Sequence, residues 1–161
     1  MARAPFQVLV FAYTWVDDEP RYAVLRRADL GVWQAIAGGG EGEETPEQAA
    51  RREAFEEAGV PADADLLPLK SIGQIPVDHF RDRAHWPPDL TTIPEYSFAV
   101  AADPALIRLS AEHDVIAWLC FDDAIARLEW DSNRAALAEL HGRVFGTSLQ
   151  EAGLETTNRD E

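Results

Sequence analysis

The hydrophobic pattern changes period along the chain, and each change marks an element. Residues 7–16 are dense in β-branched and aromatic side chains, which predicts a strand. A polar turn at Asp17-Asp18-Glu19-Pro20 follows. A second strand is expected over 21–27 and a short third over 31–36, running into Gly38-Gly39-Gly40 and a loop. There the period becomes helical. Thr45 is an N-cap, Pro46 suits the first helical position and Gln48 completes a capping box, so a helix runs to about Ala58 and stops at Gly59. Further strands are expected over 70–75, 95–101 and 113–121. A short helix over 122–128 and a longer one over 131–144, capped by Asp131, close the series. Residues 76–94 have no period, and connections of that length usually serve a site.

With 161 residues the chain is long enough for one core and short for two. Strands alternating with helices, without repeats or linkers, predict a single α/β domain over residues 1–146 with a central mixed sheet. Residues 147–161 are expected to be a polar, frayed tail. One cysteine, Cys120, excludes an intrachain disulfide and is expected to be a buried, inert thiol. No signal-peptide pattern opens the sequence and no apolar run reaches membrane-spanning length, so the cytoplasm is the expected compartment.

The net charge of −15 disfavours long nucleic acids and anionic membranes as partners. Its distribution sharpens this. Between Gly38 and Val60, Glu41, Glu43, Glu44, Glu47, Glu53, Glu56 and Glu57 face only Arg51 and Arg52. On a helix advancing about 100° per residue, Glu53, Glu56 and Glu57 share one face, while Ala54, Phe55 and Ala58 are expected to pack on the sheet. Glu53 and Glu57 are like-charge neighbours at i,i+4, where a merely solvated helix would pair Glu with Lys. Oxygen ligands at this density suit Mg²⁺ or Mn²⁺, hard cations that also bind phosphate oxygens.

The spacing Gly-x5-Glu-x7-Arg-Glu-U-x-Glu-Glu-x-Gly-U, with U apolar, resembles the box of the Nudix family. It is met here by Gly38, Glu44, Arg52, Glu53, Glu56, Glu57, Gly59 and Val60. Two positions depart from it: Ala54 is small for an apolar position, and Glu43 stands where a glycine is usual. The resemblance implies an α/β/α sandwich whose loop-helix-loop grips divalent cations. It implies metal binding by Glu53, Glu56 and Glu57, orientation of these by Arg52 and Glu44, and hydrolysis of a diphosphate joined to an organic group. Gly38 and Gly39 would let substrate approach the backbone.

Outside the box, Gly31-Val32-Trp33-Gln34, Glu112-His113 and Trp130-Asp131-Ser132-Asn133-Arg134 resemble bacterial dihydroneopterin triphosphate pyrophosphohydrolases, over roughly residues 5–145. That likeness implies conversion of dihydroneopterin triphosphate to its monophosphate plus pyrophosphate. Another nucleoside di- or triphosphate derivative or a dinucleoside polyphosphate is the alternative, and a nucleotide-sensing domain without catalysis is the alternative of another class. Glu112 is the candidate general base, or else a turn cap. Trp33 and Gln34 either hold a flat heterocycle or belong to the core. Asn133 and Arg134 either reach the substrate or serve the first turn of their helix. His79, Arg81, Arg83 and His85 are candidates for the phosphates. The partner expected is a small phosphate anhydride, and the protein either a monomer or a homodimer.

Overall fold

The computed structural model describes the backbone of residues 2–160 and the side chains of residues 2–145. Seven strands form one mixed sheet. Its path runs β3 (Trp33–Gln34), β2 (Glu19–Arg27), β1 (Arg3–Val16), β6 (Thr92–Ala101) and β5 (Leu66–Pro76). Beside that path β4 (Ile36–Glu41) pairs with β1, and β7 (His113–Leu119) pairs with β2. β1 is the hub. Its first part is antiparallel to β4, its end makes a hairpin with β2, and its other edge is parallel to β6 from Gln7↔Glu95 to Tyr13↔Ala101.

Alternation along β1 decides which side of the sheet each residue serves. Val8, Val10 and Ala12 join the core under α1 (Pro46–Ala58), together with Ala49, Ala50, Ala54 and Ala58. Leu9 and Phe11 join the opposite core under α2 (Phe121–Arg127) and α3 (Asp131–Asp160), with Leu137 and Leu140. Helices cover both faces, which is the expected α/β/α sandwich. Small alanines on α1 let that helix approach closely, and this brings its carboxylates onto the sheet.

α1 begins and ends where its sequence signals say. The Thr45 hydroxyl accepts from Gln48 N at 3.2 Å, the Gln48 side chain accepts from Thr45 N at 2.9 Å, and Gly59 closes the helix with φ 71°. Four expectations change. Gly38, Gly39 and Gly40 lie within strand β4, not at the mouth of a loop. Phe55 is 58% exposed, because the sheet-facing side of α1 runs through Ala50, Ala54, Glu57 and Ala58, about 100° away. Cys120 is only half-buried. The backbone of α3 continues to Asp160, beyond the expected end near Val144; the side chains of the tail lie outside the described residues. No helix among the described residues is long and apolar enough to cross a membrane.

Candidate active site

The site is built on the edge of α1 that faces β4. Arg52 is its organiser. Its Nε and Nη2 bind the two oxygens of Glu44 at 2.9 and 3.0 Å, a fork-on-fork pair, while Nη2 also donates to the Gly39 carbonyl at 2.8 Å. Nη1 reaches Glu53 at 2.9 Å and Glu56 at 3.2 Å. Glu44 in turn accepts from Glu41 N at 2.8 Å, so the loop before the helix is fastened to the helix through one guanidinium. The Arg52 bonds hold the Glu44 carboxyl below the usual carboxylate range.

The glycines are explained by Glu53. A Cβ on Gly38 would lie 2.1 Å from the Glu53 carboxyl carbon, so only glycine lets that side chain lie across β4. One residue on, the opposite face of Gly39 is covered by the Arg3 guanidinium, whose Nε would be 2.4 Å from a Cβ there.

Glu57 is the deepest carboxylate of the set, 3% exposed, and its Oε2 accepts from Ala37 N at 3.2 Å. Burial first, then the charge of Glu53 and the nearby Glu112, push it up to about 9. Glu53 is also raised, chiefly by burial, with Arg52 opposing. Glu112 comes from a distant segment that is stitched to the end of α1: Arg108 N donates to Ala58 O at 2.9 Å and Ser110 N to Glu57 O at 3.1 Å. The exposed Glu112 side chain then meets Glu57.

Burial and repulsion between neighbouring carboxylates raise the proton affinity of Glu53 and Glu57, with Arg52 offsetting part of this at Glu53, and oxygen donors of this kind fit a hard divalent cation. Among the described residues no three metal-binding side chains are already drawn into one cluster, since Glu53 and Glu56 turn onto Arg52. The donors are therefore present and held by an arginine.

Other sequence candidates sit elsewhere. Asn133, 1% exposed, accepts from Ala35 N at 2.9 Å, and Gln34 accepts from the Trp130 indole at 3.3 Å. Together they anchor the segment that leads to Ala37 and Glu57. Trp33 packs against the α2/α3 core with the Arg127 guanidinium 5.1 Å from its ring. Arg134 is bound to Asp131 and to the Leu128 carbonyl. His79, Arg81, Arg83 and His85 are exposed on two 3-10 turns, Val77–His79 and Arg81–His85, with Arg83 paired to Asp78. His113 is 4% exposed, and both its ring nitrogens lack hydrogen-bond partners. Arg3, Gln7 and Glu95 belong to no motif. Their signal is polar residues at the ends of apolar strands, with Glu95 on the same face as the buried Ser97 and Ala99.

Comparison with known proteins agrees with this geometry. Residues 6–140 match the NUDIX domain. The dihydroneopterin triphosphate diphosphatase of Escherichia coli K12 is 31% identical over 142 residues, covering 85% of this chain and 92% of its own. A crystal structure described as a NUDIX hydrolase of Listeria monocytogenes superposes with a TM-score of 0.79 at 37% identity, covering 89% of this chain and 97% of that one. An octanoyltransferase of Myxococcus xanthus is 36% identical over 122 residues, which is 72% of this chain but 31% of that protein, so the chain spans about a third of that relative. NUDIX hydrolases generally use a divalent metal. On a match that runs from residue 6 to residue 140, the chain belongs to the NUDIX family of hydrolases.

Proposed function

We propose that the protein is a Mg²⁺- or Mn²⁺-dependent pyrophosphohydrolase of a nucleoside-triphosphate-like small molecule, with dihydroneopterin triphosphate, cleaved to monophosphate and pyrophosphate, as its substrate. The observation that carries this reading is the pair of largely buried carboxylates Glu53 and Glu57 on the edge of α1 that faces β4, with the exposed Glu56 beside them and the exposed Glu112 brought in from the segment before β7. The choice of substrate is supported by the near end-to-end likeness to the E. coli diphosphatase.

Glu53, Glu56 and Glu57 would hold the cation. When bound, the metal neutralises charge on the phosphate oxygens and lowers the pKa of the attacking water. Glu112 is exposed and next to Glu57, so it can take the proton of a water aimed at phosphorus. Arg52 and Glu44 position the carboxylates without touching substrate, and the same guanidinium can release Glu53 and Glu56 to the cation while keeping its two bonds to Glu44. Gly38 makes room for the Glu53 carboxylate and Gly39 for the Arg3 guanidinium beside the place where the phosphates would approach. On this geometry Asn133, Gln34 and Trp33 act through the segment they anchor.

The test is a panel of dihydroneopterin triphosphate, nucleoside triphosphates, nucleoside diphosphate sugars and dinucleoside polyphosphates, with product analysis in Mg²⁺ and in chelator. The reading predicts pyrophosphate release from dihydroneopterin triphosphate in Mg²⁺ only. Turnover of other members of the panel in preference to it would move the substrate, and no turnover of any would favour a sensing domain.

A further inference from the structure

Glu95 carries a buried carboxyl that the hydrolytic centre does not use. It is 2% exposed on β6 and pairs with Gly73 of β5 on one side and Gln7 of β1 on the other. Its Oε2 accepts from Gln7 Nε2 at 3.2 Å, whereas Oε1 has no hydrogen-bond partner. Burial raises the Glu95 carboxyl above the usual carboxylate range, with the nearby Ser132 and Gln7 side chains opposing it. A Cβ built on Gly73 would lie 2.9 Å from the Ser132 Cβ and 3.5 Å from Oε1, so glycine there makes room for both side chains.

The chain of contacts continues to a second orphan. Arg3 Nη2 donates to Gln7 Oε1 at 2.6 Å, and Arg3 Nε is buried without a partner. Buried unpaired polar atoms are rare, and a donor and an acceptor in one connected group point to something that completes both. This group touches the box across the glycines. Arg3 lies on one face of Gly39 while the Gly39 carbonyl holds Arg52, and Glu53 lies on the opposite face of Gly38. A molecule with phosphates at the box and a ring near Glu95 would pass β4 beside the Glu53 and Arg3 side chains that cover Gly38 and Gly39.

We propose that Glu95 reads the nitrogen edge of the substrate's heterocycle. Its carboxylate accepts a ring N–H and the adjacent exocyclic NH₂ of a 2-amino-4-oxopyrimidine ring, the edge that pterin and guanine share. Two parallel N–H···O bonds to one carboxylate match the geometry of a guanidinium on a carboxylate. An adenine edge sets a ring acceptor next to its amino group, so one carboxylate oxygen would face a lone pair. In this structure Phe80 lies 4.8 Å from the Arg3 guanidinium and the Trp86 indole donates to the Arg3 carbonyl at 2.9 Å, so ring entry displaces that segment. The inference rests on the proposed pyrophosphohydrolase reading for its substrate, but binding of the ring alone tests it separately.

The experiment is calorimetric titration of the metal-free full chain with neopterin, guanosine, inosine and adenosine, for the wild type and Glu95→Gln. Neopterin and guanosine are expected to bind at least about tenfold tighter than inosine, which lacks the 2-amino group, and than adenosine. Glu95→Gln is expected to lose that preference and to raise KM for dihydroneopterin triphosphate roughly 10- to 100-fold, with a smaller change in kcat. Equal binding of guanosine and inosine by the wild type, or an unchanged preference in Glu95→Gln, overturns the proposal. Should the variant not fold, the wild-type series still decides. A wild type that shows the preference but hydrolyses no triphosphate sinks the hydrolase reading alone, and one that hydrolyses dihydroneopterin triphosphate without the preference sinks this inference alone.

Discussion

Gly38 and Glu53 occupy one space from two elements: the carboxyl carbon of Glu53 stands 2.1 Å from where a Gly38 Cβ would be. Alanine at 38 must therefore push the carboxylate off β4. Gly38→Ala is expected to lower kcat about 100-fold, since a misplacement near 1 Å at a reacting centre costs on that order. Steady-state kinetics beside a thermal melt separates this from unfolding, and unchanged turnover would show that Glu53 need not lie there.

Arg52 makes five hydrogen bonds, two to Glu44 and one each to Gly39 O, Glu53 and Glu56, a set that a lysine cannot reproduce. Arg52→Lys keeps the charge and loses the fork. We expect divalent-metal affinity to fall about 10- to 100-fold and unfolding in denaturant to come earlier by about 1–3 kcal/mol. Metal affinity equal to wild type would remove Arg52 from its positioning role.

Glu57 sets a pH dependence of the metal-free protein. Its carboxyl is raised to about 9, above its ordinary 4.5, so the folded state holds the proton more tightly than the unfolded state. The stability this gives is fully present below pH 4.5 and is lost progressively as pH rises to about 9. In chelator, the melting temperature of the wild type should fall more between pH 5 and 9 than that of Glu57→Gln, which has no proton to lose. Added Mg²⁺ should shrink the difference by supplying the counter-charge. Parallel melting curves for the two proteins in chelator would contradict the burial argument.

Asn133 separates support from substrate contact. Its side-chain oxygen caps the buried Ala35 N–H at 2.9 Å. Asn133→Ala should cost about 1–3 kcal/mol by leaving that donor unpaired. Denaturant unfolding reads this directly. A variant with wild-type stability and a raised KM would instead assign Asn133 to the substrate.

The parts legible in the sequence are those fixed over short distances. The capping box at Thr45, the stop at Gly59 and the carboxylate face of α1 all follow from spacings within one helix. The role of Gly38–Gly40 does not, because their reason is close approach by Glu53, Arg3 and Phe6 from other elements, and no local pattern announces it. Phe55 shows the same limit from the other side: helical spacing finds an apolar stripe but the sheet decides its centre, which falls on small alanines. The pairing of Gln7 with Glu95 joins positions 88 residues apart through a parallel contact of β1 and β6, so the buried polar chain has no signal beyond charge in an apolar strand.

The central claim is that a divalent cation held by Glu53, Glu56 and Glu57 drives cleavage of a triphosphate. Phosphorus NMR of dihydroneopterin triphosphate with wild type and Glu57→Gln, in Mg²⁺ and in chelator, tests it most directly. The account predicts monophosphate and pyrophosphate from the wild type in Mg²⁺, and loss of nearly all turnover in chelator and in the variant. Undiminished product from Glu57→Gln, or from the wild type in chelator, would contradict it.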